Sequence, residues 1–196
     1  MSDRRAERGQ ATRERLVAVA TELFAARGFE GTSIDAVLQE SGASRGSLYH
    51  HFASKDALFD AVLETVEAAI GAEVMFAVAD AGGSVASLRA GCLRWMELAG
   101  DPVVQKIVLI DAPSVLGWER WRALEEANAL GLFKAAMQVA ADEGRIPAEL
   151  ADAFAHTVLA TVNELALMIA RADDQSAAQR EAKATVNEML TRLLGE

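Results

Sequence analysis

The chain has 196 residues, 52% of them hydrophobic and 24% charged, the proportions of a folded globular protein rather than of a disordered or fibrous one. Cys92 is its one cysteine, which excludes a disulfide framework and a cysteine-based metal site. A net charge of −10 is the wrong sign for a protein that wraps a polyanion over its whole surface.

The charge is unevenly placed. Residues 1–55 carry 8 Lys and Arg against 7 Asp and Glu, a net of +1, whereas residues 56–196 carry 11 against 22, a net of −11. Only the first fifty-odd residues face phosphate without repulsion. The opening MSDRRAERGQATRERL is charged throughout, unlike a signal peptide. The longest apolar stretch, TVLATVNELALMIA at 157–170, contains Asn163 and Glu164 and falls short of the ~20 residues of a spanning helix. These features predict a cytoplasmic protein with no membrane partner.

In chain order, Leu16, Ala20, Leu23 and Phe24 recur with helical spacing and predict a first helix over 11–27, which Gly28 ends in the left-handed conformation. Thr32 and Ser33 are candidate N-caps for a short second helix over 33–41, with Asp35 in capping-box-like spacing after Thr32 and Gly42 as its stop. Ser44 caps a third short helix running to His51, with Leu48 and Phe52 as its apolar pair. Ser54 caps a fourth, in which Leu58, Phe59, Val62, Leu63, Val66 and Ile70 keep the helical period as far as about residue 81.

Gly82, Gly83 and Ser84 mark the clearest break. Beyond it, amphipathic segments over 85–99, 102–115, 118–143, 148–172 and 176–194 are punctuated by glycines, prolines and the polar DDQS at 173–176. No alternating pattern competes as a strand, so the chain reads as all-α with about nine helices. The expected domains are an N-terminal arm over 1–10, a helix-turn-helix domain over 11–56 with its paired helices at 33–52, and a larger helical domain over 57–196.

Two short helices joined by a tight glycine turn form a unit that docks on B-form DNA, one helix in the major groove and the other across the backbone. The inserted helix needs short donors on one face and groups at its edges that grip phosphate. Ser44, Arg45, Ser47, Tyr49, His50, His51 and Lys55 form that inventory, and Gly46 removes a side chain where close approach to bases or sugar would clash. Gly46 costs about 1 kcal/mol of helix stability relative to alanine, which points to a local reason for its presence. On the helical wheel Arg45 falls near Leu48 and Phe52, so its outward reach depends on its place in the first turn. Taken singly, each residue has a plainer reading, with the serines as caps, the tyrosine as packing and the His-His pair as surface.

The stretch TSIDAVLQESGASRGSLYHHFASKDALFDAV, with the preceding TELFAARGFEG, resembles the DNA-binding domain of the tetracycline-repressor (TetR) family of bacterial transcriptional regulators. The resemblance covers about residues 11–70. It implies that Thr32 and Ser33 meet phosphate at the start of helix 2, and that Ser44, Arg45, Gly46 and Ser47 meet bases and nearby backbone. It further implies phosphate contacts for Tyr49, His51 and Lys55 and a base or sugar contact for His50. Leu38 departs from the family pattern, where an alanine is common, and so bears on the aim of Arg45. Ala43 in place of a common valine is a smaller departure.

By the same resemblance the C-terminal part dimerises through its last two helices and holds a pocket for a small-molecule effector. Candidate pocket residues are Cys92, Trp95, Met96, Ile107, Ile110, Trp118, Trp121, Phe133, Met137, His156 and Asn163, with Trp and Met as adaptable walls and His156 and Asn163 as polar contacts. Candidate interface residues are Phe154, Val158, Thr161, Leu165, Met168, Val186, Met189, Leu190 and Leu193. Both sets also suit an ordinary core. The implied protein is a homodimeric, effector-released repressor of a palindromic operator, without catalytic residues, metal or cofactor. Two alternatives stay open. One is a helical adaptor that uses 33–52 to bind protein, and the other is an enzyme, for which a spatial pairing of Cys92 with His156 is the remaining route to nucleophilic chemistry.

Overall fold

The computed structural model describes residues 2–194, in which every regular element is helical. The helices are α1 (Ser2–Gly31), α2 (Ile34–Ser41), α3 (Arg45–His51), α4 (Lys55–Ala79) and α5 (Ser84–Leu98), then α6 (Ala112–Leu116), α7 (Trp118–Asp142), α8 (Ala151–Arg171) and α9 (Gln175–Leu194). A π-helical segment, Val104–Asp111, leads into α6, and a 3₁₀ turn, Ala148–Leu150, leads into α8. Helix α1 begins at Ser2, so the expected arm over 1–10 is helical over its described part. The chain divides into two compact units, Met1–Glu67 with Pro102–Val115, and Ala68–Asp101 with Leu116–Glu196. The expected contiguous boundary near residue 56 is thus replaced by a discontinuous one.

In the first unit, Phe24, Phe29 and Phe59 pack their rings 5.2–5.8 Å apart, and Leu16, Leu48 and Leu58 are wholly buried. Burial of one such leucine contributes about 1.5–3 kcal/mol. Helix α1 breaks its own geometry at Gly28, where φ is 73° and ψ 170°, a conformation that carries a steric penalty for a residue with a Cβ. The last turn after it is held by the 102–115 segment. Asp111 Oδ2 accepts from the Phe29 N–H at 2.7 Å, and Asp111 Oδ1 accepts from Lys106 Nζ at 2.9 Å.

The π-helical geometry accounts for that pairing. Its hydrogen bonds reach back five residues, as from the Ala112 N–H to the Ile107 carbonyl, so side chains five apart come onto one face. Lys106 and Asp111 are such a pair. In an α-helix they would diverge around the cylinder.

In the second unit, α5, α7, α8 and α9 pack on one another. Arg89 Nη1 donates to the Asn187 carbonyl at 3.1 Å and Gln179 Nε2 to the Met96 carbonyl at 2.9 Å, which sets α5 antiparallel to α9. Lys134 lies 2.6 Å from Asp152, which sets α7 antiparallel to α8. Gly91 of α5 is closely surrounded, and a Cβ there would make ordinary contact with Val74 and Val78 at 3.4 Å and Leu132 at 3.6 Å. The stretch Ala148–Arg171 is the one described helical segment long and apolar enough to cross a membrane. Here its buried residues, among them Leu159, Val162, Ala166 and Ile169, belong to the core of this unit.

Four charges tie three helices of this unit together. Arg94 bonds Glu73 and Glu97, each at 2.8 Å, and Lys183 bonds Glu97 at 2.8 Å. The Lys183 ammonium and then the Arg94 guanidinium hold the Glu97 carboxyl below the usual carboxylate range. A carboxylate whose native pKa is depressed stabilises the fold above its unfolded value, near 4.3, and that gain is lost as pH falls through the native value. Because Glu97 is partly exposed, solvent screening limits the gain. Glu97→Gln is expected to cost up to about 1 kcal/mol at pH 7 and progressively less as pH falls through the native value of Glu97, as read from urea unfolding at pH 7 and at pH 3. An equal loss at both pH values would contradict the ion-pair account.

Candidate nucleic-acid interface

The paired short helices form as their caps dictate. Ser33 accepts from the Ala36 N–H at 3.1 Å, Ser44 from the Ser47 N–H at 3.2 Å and Ser54 from the Ala57 N–H at 3.1 Å. Gly42, at φ 66°, ends α2 with its N–H on the Leu38 carbonyl at 3.0 Å. Only residues 42–44 separate α2 from α3. Leu48 and Phe52 anchor α3 in the core, and the Arg13 guanidinium lies 5.4 Å from the Phe52 ring centroid.

Anchoring Leu48 inward decides which face of α3 is presented. Arg45, Gly46, Tyr49 and His50 are exposed, and Ser47 and His51 sit half-buried at the edges. The ambiguity about Arg45 is resolved outward. Its guanidinium pairs with the Asp35 carboxylate of α2, both side chains being largely exposed. Asp35 therefore does not close a capping box on Thr32. Around Gly46 a Cβ would meet nothing within 4 Å, so no packing within the chain requires glycine in the first turn of this helix.

Two expected phosphate contacts are turned inward. Thr32 is buried, and its hydroxyl, with one proton to donate, lies 2.9 Å from the Gly28 carbonyl and 3.1 Å from the Leu23 carbonyl. The hydroxyl thus serves a carbonyl at the break in α1. Lys55 Nζ donates to the carbonyls of Phe29 at 2.8 Å and Thr32 at 3.2 Å and lies 4.0 Å from the Phe29 ring centroid. Both residues brace the corner between α1 and α2. No signal in the sequence separates a lysine that caps carbonyls from one that reaches phosphate. The residue that sequence reasoning missed is Asp35, whose role required the crossing of α2 and α3.

The expected pocket residues do not form one set. Cys92, Met96, Trp121, Phe133, Met137 and Asn163 are buried in the second unit, with Trp95 half-buried beside them. Ile107 is buried in the first unit instead, and Ile110 is exposed there. Trp118 is 62% exposed, its ring centroid 4.9 Å from that of Trp121. His156 lines an open groove of about 620 Å³ with Arg122, Thr157, Ala160, Thr161, Glu164 and Leu165. The Cys92 thiol is buried, and burial pushes its pKa up to about 12, so it is a poor nucleophile at neutral pH. Among the described residues no group of His, Cys, Asp and Glu has the makings of a metal site.

The expected interface residues divide similarly. Val158, Val186 and Leu190 are buried within the chain, and Leu165 nearly so. Phe154, Thr161, Met189 and Leu193 are half-buried, and Met168 is 52% exposed. The stripe read from the sequence is thus mainly the inner face of α8 and α9. Their outer faces carry the His156 groove and a second one of about 530 Å³ lined by Glu181, Ala184, Thr185, Glu188, Met189 and Arg192.

An all-helical chain whose capped, tightly turned helix pair exposes a short face of polar side chains is a helix-turn-helix protein. Residues 16–62 match the model of the bacterial regulatory proteins of the tetR family, and residues 85–193 match the tetracyclin repressor-like C-terminal domain. The chain belongs to the tetR family. It is 40% identical over 63 residues to the HTH-type transcriptional regulator UidR of Escherichia coli, and 39% identical over 61 residues to the HTH-type transcriptional repressor KstR2 of Mycobacterium tuberculosis. These matches span 32% and 31% of this chain, and 32% and 30% of the respective relatives. A TetR-family regulator from Pectobacterium atrosepticum superposes with a TM-score of 0.81 at 27% identity over 97% of each chain. Another from Chloroflexus aurantiacus gives 0.75 at 25% identity, over 95% of this chain and 97% of its own.

Proposed function

We propose that this protein is a sequence-specific, DNA-binding transcriptional repressor that binds an inverted-repeat operator as a homodimer and is released by a small-molecule effector. The observation that carries the reading is the outer face of α3. Arg45, Gly46, Tyr49 and His50 stand exposed on a helix whose opposite side is locked by Leu48 and Phe52, and the glycine among them has no use inside the chain. Close approach of a groove wall supplies that use. Arg45 reads a base edge, Ser33, Ser44, Ser47, Tyr49 and His51 hold backbone, and His50 reaches base or sugar.

The outer faces of α8 and α9 supply the dimer contact, and the acidic remainder of the chain keeps non-specific DNA affinity low. An effector bound in the second unit acts by favouring one of two arrangements of the paired recognition helices, to the extent that it binds that arrangement better. The chain passes between the two units within α4, before Pro102 and after Val115, so a rearrangement of one unit reaches the other through covalent connections. The two relatives named above are a regulator and a repressor, which supports the same reading.

Selection of bound sequences from random duplex DNA tests it, with an enriched inverted repeat as the expected result. Gly46→Ala is expected to stabilise the fold by about 1 kcal/mol while weakening operator binding at least tenfold in a mobility-shift titration. Enrichment of no inverted repeat, together with operator-independent behaviour of Gly46→Ala, would favour a protein-binding role for α2 and α3.

A further inference from the structure

The second unit buries three side-chain donors that no acceptor of the described chain reaches, Trp95 Nε1, Trp121 Nε1 and Asn163 Nδ2. Such donors are rare in native cores, because each forfeits the hydrogen bonds it made to water. Trp121 is 1% and Asn163 8% exposed, so solvent does not satisfy them from outside. Three in one small helical core call for an explanation.

Helix register sets the three at about the same level. Lys134–Asp152 fixes α7 against α8, and counting equal rises along this antiparallel pair brings Trp121 opposite the turn that holds Asn163, while Arg122 lines a groove with α8 residues from His156 to Leu165. Gln179 Nε2 on the Met96 and Glu97 carbonyls and Lys183 on Glu97 fix α5 against α9. Helix α8 turns directly into α9 through residues 172–174, so the end of α5 that holds Trp95 comes level with Asn163. Around this level the buried side chains Cys92 and Met96 are apolar, and among the described buried residues of this unit Asn163 is the one polar side chain.

Donors without acceptors call for a ligand that brings acceptors. Among the described residues no charged side chain is buried here, and an anion placed among neutral donors without a counter-charge is costly. The buried Cys92 thiol is held neutral because desolvation there outweighs the opposing Arg89 charge. We infer that the effector is an uncharged, largely apolar molecule with one or more carbonyl oxygens, held by Trp95, Trp121 and Asn163 beside Cys92 and Met96. This assignment rests on the effector-responsive reading above, and the donors define which chemistry that effector carries.

The full chain, labelled with ¹⁵N, tests the assignment without DNA. The probes are three ketones or quinones, each matched to a hydrocarbon and a carboxylate: benzophenone with diphenylmethane and diphenylacetate, acetophenone with ethylbenzene and phenylacetate, and 1,4-naphthoquinone with naphthalene and 1-naphthoate. At least one carbonyl probe is expected to move the indole N–H signals of Trp95 and Trp121 downfield, with at least tenfold tighter binding than its hydrocarbon and carboxylate counterparts. Asn163→Leu is expected to erase most of that preference and to melt at or above the wild-type temperature, because it removes an unpaired donor rather than a bond. The inference is overturned if no carbonyl probe is preferred, if the carboxylates bind as well, or if Asn163→Leu melts clearly lower. Failure of operator selection would sink the regulator reading and leave this binding result standing, so the two failures are distinguishable.

Discussion

Replacing Arg45 by alanine is expected to lower operator affinity by about 1–3 kcal/mol, roughly one to two orders of magnitude, with no change in the melting temperature. The guanidinium is exposed and its partner within the chain is the equally exposed Asp35, a contact that contributes little to stability in water. Its consequence lies in aim. A guanidinium pinned by a carboxylate on the neighbouring helix loses less rotamer freedom on meeting a base. Asp35→Asn is therefore expected to leave folding intact, to raise affinity for random DNA by removing an anion that faces phosphate, and to reduce discrimination among operator variants at the base pair Arg45 contacts. Mobility-shift titrations at several salt concentrations measure both effects. Unchanged discrimination in Asp35→Asn would remove the positioning role.

Lys55→Ala gives the contrasting result. Its ammonium serves the carbonyls of Phe29 and Thr32, so the expected loss is about 1–3 kcal/mol of folding stability. A variant that melts as wild type but binds DNA with a shallower salt dependence would instead return Lys55 to the phosphate backbone.

The second large effect is expected at the break in α1. Asp111→Ala leaves the buried Phe29 N–H without its acceptor and Lys106 without its carboxylate, at an expected cost of about 1–3 kcal/mol. Gly28→Ala acts on the same corner by two routes. Its positive φ costs about 1–2 kcal/mol for any residue with a Cβ, and the new Cβ would lie 2.7 Å from Lys106 Cε. The Lys106 side chain is flexible at that end, so Gly28→Ala with Lys106→Ala is expected to recover the steric part and keep the backbone part. Urea unfolding of the three variants separates these contributions. Full recovery in the double variant would mean that the backbone at residue 28 adapts without strain.

Much of the fold is legible in local chemistry. Ser33, Ser44 and Ser54 act as the N-caps their positions predict, and Gly42 ends α2 as a left-handed residue should. The helices over 84–98, 118–142 and 175–194 fall where apolar periodicity and glycine or proline punctuation place them. The exposed face of α3 follows equally from sequence, because Leu48 and Phe52 have one place to go. Less legible is the segment 104–111. Its composition suits an ordinary helix, and its wider turn gains its reward only when Lys106 and Asp111 meet α1, a contact between residues 82 apart in the chain.

The candidate effector and dimer residues mark a second limit. Helical periodicity shows that a face is apolar and leaves open whether that face meets its own chain or another. Val158, Val186 and Leu190 turned inward while Met168 stayed out, a choice made by how α8 and α9 lean on α5 and α7.

By itself the sequence determined the all-helical class, the capped helix pair and the face that pair presents, because caps, glycine turns and apolar spacing act over a few residues. The tertiary structure alone decided that Thr32 and Lys55 serve the α1 corner, that Asp35 pairs with Arg45, and that 102–115 joins the first unit. Each of those outcomes pairs groups distant in the chain, and their hydrogen bonds and charges acquire partners only when the packed helices bring them within reach.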